Sequence, residues 1–231
     1  MRESGIFGCM ETGSFASEAR HLGKAARTRA KLMDAAVGVF ARDGFEAASV
    51  NEIARAADVV NGTFYLHFKD KDDIAAAVAY RIATDVTRQL DAAMADIGDA
   101  IERTSTATRR FIEFMSARRD WGLALFRAVW FFRDLRGDVV NHLRADLERG
   151  RKQGAFTVEI DNFLIDTFAS MTMSALFARL NGNVGADAGS RVAELQLRML
   201  GVPAKRAKAA AWKKLPVLEI AVGNEAKKAG R

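Results

Sequence analysis

The chain has only two prolines, Pro203 and Pro216, so its first 202 residues lack the residue that most firmly stops a helix. Alanine is abundant there and β-branched clusters are few, which predicts an all-α body. With 231 residues, 49% hydrophobic and 28% charged, the composition is that of an ordinary globular chain. A single cysteine, Cys9, allows no internal disulfide and no cysteine cluster for zinc, and it suits a reducing, cytoplasmic setting. No run of 18 apolar residues occurs, so no membrane partner is expected. Met1 to Met10 has no basic-then-apolar pattern of a signal peptide.

The net charge of +6 suggests nucleic acid, but its placement weakens that inference. From Pro203 onward there are eight Lys/Arg against two Glu, which leaves residues 1–202 with 27 of each sign. The basic balance belongs to the tail, so any case for DNA must come from local arrangement.

Four segments are expected: a flexible arm over 1–20, a helix-turn-helix domain over 21–69, a helical body over 70–202 and a basic, mostly disordered tail over 203–231. A first helix is predicted over 28–43 from Met33, Ala36, Val37 and Phe40, ending at Gly44. Ser49-Val50-Asn51-Glu52 is a capping box that opens a short helix over 49–57. A third helix over 61–68 carries Phe64 and Phe68 one turn apart. A long fourth helix over 70–97 repeats Ile74, Val78, Ile82, Val86, Leu90 and Met94. Further helices are predicted over 102–118, 121–134, 138–153, 160–181 and 187–201, punctuated by glycines and by Asn181-Gly182-Asn183. The 160–181 segment is apolar on more than one face and therefore needs cover on several sides, for which a second subunit is a natural source.

Two short helices joined by a tight turn, with a third upstream, are the parts of a helix-turn-helix. The second short helix would enter the major groove with Asn61, Gly62 and Thr63 leading. An asparagine can pair with an adenine edge, and a threonine methyl can meet a thymine methyl. Phe64 and Phe68 would anchor the helix, leaving Tyr65, His67, Lys69 and Lys71 to reach phosphates. Free amides at the helix that Ser49 opens, and at the start of the fourth helix, could hold further phosphates. Thr28 could contact a phosphate or only cap its helix, and the basic stretch from Arg20 to Lys31 could add attraction.

Residues 28–36 with Phe40, Gly44 and Phe45 resemble the first helix of the TetR-like (tetracycline-repressor family) regulators. Ser49 to Ala54 resembles their second helix, and Asn61 to Lys71 their recognition helix and the entry to the fourth. Gly150, Gly154-Ala155-Phe156 and Asp161 resemble the approach to the family's eighth helix, and Leu195 to Val202 its ninth-helix ending. The resemblance implies an all-α homodimer with an N-terminal DNA reader and a C-terminal ligand domain, pairing through the helices about 160–181 and 187–201. Asp58 stands where the family often has glycine, and Val60 fills the slot of a capping Ser or Thr, so the recognition helix lacks one cap.

Seven aromatics lie between Phe111 and Phe132, where about two would be expected from the overall content. Phe111, Phe114, Trp121, Phe126, Trp130 and Phe131, with Phe168 and Met171, are the candidate lining of a small-molecule pocket, although helical cores also need large side chains. No H-E-x-x-H, G-x-S-x-G or phosphate-binding G-x-x-x-x-G-K-[ST] occurs, so no catalytic site, metal or cofactor is expected. The expected function is a transcriptional regulator, most simply a repressor, bound to a palindromic double-stranded operator and released by an apolar or aromatic effector. The alternative keeps the DNA reader and makes the C-terminal bundle a protein-interaction module with no effector.

Overall fold

The computed structural model describes residues 15–131 and 136–215, apart from the side chains of 93 and 127–140. Every regular element among the described residues is helical. A short turn, Phe15–Glu18, runs into a 3-10 turn at Ala19–His21. The main helices are α1 (Lys24–Asp43), α2 (Val50–Ala56), α3 (Asn61–Tyr65), α4 (Lys71–Ala93) and α5 (Ala100–Ala117). They continue with α6 (Arg119–Phe131), α7 (Arg136–Lys152), α8 (Asn162–Leu180), α9 (Ala188–Met199) and α10 (Ala204–Trp212).

The predicted helices are present, with shifted ends. α1 begins one turn earlier than expected and stops where Gly44, at φ 85°, turns the chain out of the helix. The apolar repeat of α4 is buried at Ile74, Val78, Ile82 and Val86. α1 packs on α2, α4 and α6, while α4 also packs on α5, α6 and α7. One core cluster therefore runs from the first three helices through α4 to Ile112, Met115, Trp121 and Leu176. A second cluster joins Ile101, Leu147, Phe156, Ile165, Phe168 and Leu197.

Two terminal segments differ from expectation. The turn at 15–21 is docked, because Asp34 accepts the amides of Phe15 (2.8 Å) and Ala16 (2.9 Å) and the Phe15 ring is buried. The start of the basic tail is also ordered: α10 lies on α5 and α9 with Ala207 and Ala211 fully buried. Its apolar positions are alanines, too small for a strong periodic signal, yet they allow close helix packing. Ser105 Oγ donates to the Ala210 carbonyl at 3.1 Å, and Trp212 Nε1 donates to Glu194 at 2.8 Å. Lys213 pairs with Glu102 at 2.7 Å, so part of the tail's charge is spent inside the molecule. Residues 216–231 of that tail, and 1–14 of the arm, lie outside the described residues.

α8 is long and apolar enough to cross a membrane by length and composition alone, which the sequence reading did not anticipate. It packs on α5, α6, α7 and α9 within the bundle and still presents Phe163, 79% exposed, and Phe177 at the surface. That is the multi-faced apolarity expected of the 160–181 segment.

Candidate nucleic-acid interface and aromatic cluster

The helix-turn-helix is set by local chemistry. Ser49 Oγ accepts the Glu52 amide at 3.2 Å, and Glu52 Oε2 accepts the Ser49 amide at 3.0 Å, so the capping box is complete. α2 leaves through a Schellman turn, in which the Asp58 amide donates to Arg55 (3.1 Å) and that of Val59 to Ala54 (3.0 Å). Asp58 holds the left-handed position at φ 56° that glycine usually fills. α3 then starts after Val60 without a side-chain cap, as its sequence requires.

Phe64 and Phe68 are fully buried with their rings 5.8 Å apart, and they fix the orientation of α3. Asn61, Gly62, Tyr65, Leu66 and Lys69 are exposed, and Thr63 and His67 are half-buried. The Asn61 amide group donates to the Asn51 side-chain oxygen and links α3 to α2. The Tyr65 ring stands edge-on to Phe64 at 5.4 Å, and the residue is 60% exposed. The sequence reading overlooked Leu66, which is 81% exposed beside these residues. Its signal was an apolar residue in a helix whose burial needs were already met by two phenylalanines.

Several expected phosphate contacts are turned to other work. α3 ends at Tyr65 instead of residue 68, since the chain tightens at Leu66 and His67 to bury Phe68. Lys71 Nζ donates to the carbonyls of Phe45 (2.8 Å), Glu46 (3.3 Å) and Ala48 (3.0 Å) and lies 4.6 Å from the centre of the Phe45 ring. Its three protons thus close the α1–α2 loop and do not point outward. The Ser49 hydroxyl likewise gives its proton to Glu52 at 2.8 Å. At the start of α4, Asp70 caps the Asp73 amide and Asp73 takes the Lys69 amide, so carboxylates stand where a phosphate was expected. Thr28 lies inside α1 and donates to the Lys24 carbonyl at 3.1 Å, while Gly23 holds the N-cap.

These placements separate two lysines that look alike in sequence. Lys69→Met is expected to lower the salt dependence of DNA binding by about one counterion per subunit, with an unchanged melting temperature. Lys71→Met is expected to lower the melting temperature by several degrees, since it leaves three carbonyls unpaired. Salt titrations and thermal melts of both variants distinguish them, and the opposite assignment would refute the placement.

The described aromatic residues do not form one wall. Phe111, Phe114 and Met171 pack against the first cluster, in which Trp121 is buried. Trp121 stacks on Phe15 at 5.4 Å and meets Phe114 edge-on at 6.4 Å. Arg118 lies 4.0 Å over the Trp121 ring, and burial holds its pKa below the ordinary arginine value despite Asp34, Asp120 and Glu18 nearby. Arg81 pairs with Asp85 and with Glu18. Burial is the largest single influence and disfavours its charge, but the Asp85 hydrogen bond together with the charges of Asp85 and Glu18 outweighs it and leaves the pKa raised. Phe168 belongs to the second cluster, and Phe126 stacks on Phe177 at 4.4 Å. The side chains of Trp130 and Phe131 lie outside the described residues.

A polar seam crosses the bundle close to Phe168. Thr108 Oγ1 donates to Gln196 Oε1 at 2.8 Å, and Gln196 Nε2 donates to Thr172 Oγ1 (2.7 Å) and to the Phe168 carbonyl (2.9 Å). One turn before Thr108 along α5, the Thr104 hydroxyl is buried with no partner among the described residues.

Residues 32–78 match the family model described as bacterial regulatory proteins, tetR family. The transcriptional regulator AcrR of Shigella flexneri is 43% identical over 51 residues, 22% of this chain and 24% of that protein. The chain thus spans about a quarter of the length of that relative. The transcriptional repressor AcnR of Corynebacterium glutamicum is 23% identical over 177 residues, covering 74% of this chain and 92% of that protein. Among solved structures, RolR in complex with resorcinol superposes with a TM-score of 0.67 at 26% identity, over 84% of this chain and 97% of that one.

Proposed function

This chain is a TetR-like regulator, and from that premise we propose that it is a dimeric repressor, released from a palindromic operator by a small aromatic effector. The observation that carries the DNA reading is the exposed pair Asn61 and Tyr65, one turn apart on a helix anchored by Phe64 and Phe68, with Thr63 half-buried between them in sequence. Residues 21–69 would read the operator, and residues 70–202 would pair the subunits and bind the effector. The exposed apolar residues Phe163 and Phe177 of α8 and Leu195 of α9 support pairing through those helices. A two-fold pair of readers matches half-sites about one helical turn, or a multiple of it, apart.

The Thr104 hydroxyl, without a partner among the described residues and one turn from Thr108 in the Thr108–Gln196–Thr172 seam, supports an effector that carries a hydroxyl group on a ring. The RolR structure, which holds resorcinol, gives the first compound to try. The effector would act through its differential affinity for two spacings of the readers, transmitted by α4. The experiment is selection from randomised duplex DNA, followed by titration of the selected complex with a panel of hydroxylated aromatics led by resorcinol. A palindrome released about 5–150-fold by one compound is the expected result. A palindrome that no compound releases would overturn the switch.

One observation favours the second reading, a DNA reader with an effector-free interaction module. Most described aromatics of the 111–132 stretch are spent on core packing, with Phe15 seated on Trp121. That reading predicts release by no compound and capture of the body by a protein partner.

A further inference from the structure

We infer that Gly62 and Leu66 form one base-reading surface, in which Leu66 reads the C5-methyl group of a pyrimidine, thymine in an ordinary duplex. The inference rests on the DNA-binding reading above and names the chemistry of that site. Leu66 caps the end of α3 with helical backbone angles (φ −75°, ψ −17°), so at about 100° per residue positions 62 and 66 fall on one face, opposite the buried Phe64. The burial pattern agrees, for Gly62 is exposed and Leu66 is 81% exposed. A side chain in a helix covers the surface one turn toward the N-terminus, so Leu66 lies over the spot that Gly62 leaves bare.

Two observations point outside the chain. First, Val60, Tyr65 and Leu66, all exposed and large, are crowded into seven residues around a five-residue helix. Among the described residues, burial leaves more than half of each exposed. On a base edge in the major groove, the apolar group is the C5-methyl. Second, nothing inside the fold requires glycine at position 62. Its φ is outside the left-handed region, and a Cβ built there meets no atom within 4 Å. A glycine in a helix is less stable than alanine at the same place, so the bare backbone serves a close approach from outside. A groove floor held against Gly62 brings a base edge to Leu66.

The test uses the full-length protein and duplexes recovered by selection. Each thymine of a recovered half-site is replaced in turn by deoxyuridine, which keeps the pairing edge and removes only the methyl. At one thymine per half-site the native chain is expected to lose about three- to fivefold in affinity, the worth of one buried methyl. Cytosine placed there is expected to bind weakly, and 5-methylcytosine to recover part of the loss, which separates the methyl from the base that carries it. Leu66→Ala is expected to weaken binding to the thymine duplex and to become indifferent to uridine. Gly62→Ala is expected to melt no lower than the native chain and yet bind at least about tenfold more weakly. Uridine without effect at every thymine, or a Leu66→Ala chain as sensitive to uridine as the native one, would overturn the inference while leaving a DNA reader. A pool that yields no selected sequence would overturn the DNA reading itself, and the inference with it.

Discussion

Phe64→Ala is expected to destabilise the helix-turn-helix by about 3–5 kcal/mol, the usual cost of emptying a fully buried aromatic site. The reason for so large an effect is the length of α3. Five residues cannot hold a helix by their own hydrogen bonds, so the orientation of Asn61 to Tyr65 depends on packing. Phe64 sits between the Phe68 and Tyr65 rings, and no other side chain of α3 is fully buried. Specific DNA binding should fall by more than about a hundredfold, while the body from α5 to α10 keeps its helix content. Mobility shifts on the selected duplex and circular dichroism, measured on the same preparation, give both numbers. A variant that binds within threefold of the native chain would show that α3 is held by something other than this anchor.

The second large effect concerns the far end of α4. Arg103 is a buried arginine whose guanidinium donates to Asp146 (3.0 Å), to Asp91 (3.1 Å) and to the Met94 carbonyl (2.7 Å). It ties α5 to α7 and to the end of α4, the helix that also packs on α1. Arg103→Ala leaves two carboxylates and a carbonyl without their shared donor. Removing one partner of a buried ion pair typically costs 3–5 kcal/mol. Because Asp91 is partly exposed and can rehydrate, the expected loss is about 3 kcal/mol, or roughly 6–12 °C in melting temperature. Arg103→Lys should recover only part of this, since an ammonium cannot reach three acceptors with the fork geometry of a guanidinium. A melting temperature of Arg103→Ala within a degree of the native value would refute the tie.

The two anchors differ in how they could be read. Phe64 and Phe68 announce themselves by their spacing in a short helix and by the capping box upstream. Arg103 gives no such sign. It lies in a segment with many charges, and its partners are 12 and 43 residues away. The same contrast applies to the lysines of the reader. Lys69 and Lys71 are two residues apart and chemically identical, yet one is exposed and the other is enclosed by three carbonyls more than twenty residues upstream.

By itself the sequence determined what depends on neighbours along the chain. The long proline-free stretch dictated helices, and Ser49 with Glu52 dictated where α2 begins. Asp58 and Val60 dictated a turn with a left-handed residue followed by an uncapped helix, and each is observed. These are short-range hydrogen bonds and dihedral preferences, which a few adjacent residues settle.

Tertiary structure alone decided which side chains remain available for function. It seated Phe15 on Trp121, gathered Phe111, Phe114 and Trp121 at the first core while placing Phe168 in the second, and folded the first turns of the basic tail onto α5 and α9. It also left Leu66 outward and Thr104 inward without a partner among the described residues. The physical reason is that burial and hydrogen-bond pairing are shared between segments far apart in the chain. A residue's own type fixes what it can bond, and the packing of distant helices fixes what is left for it to bond.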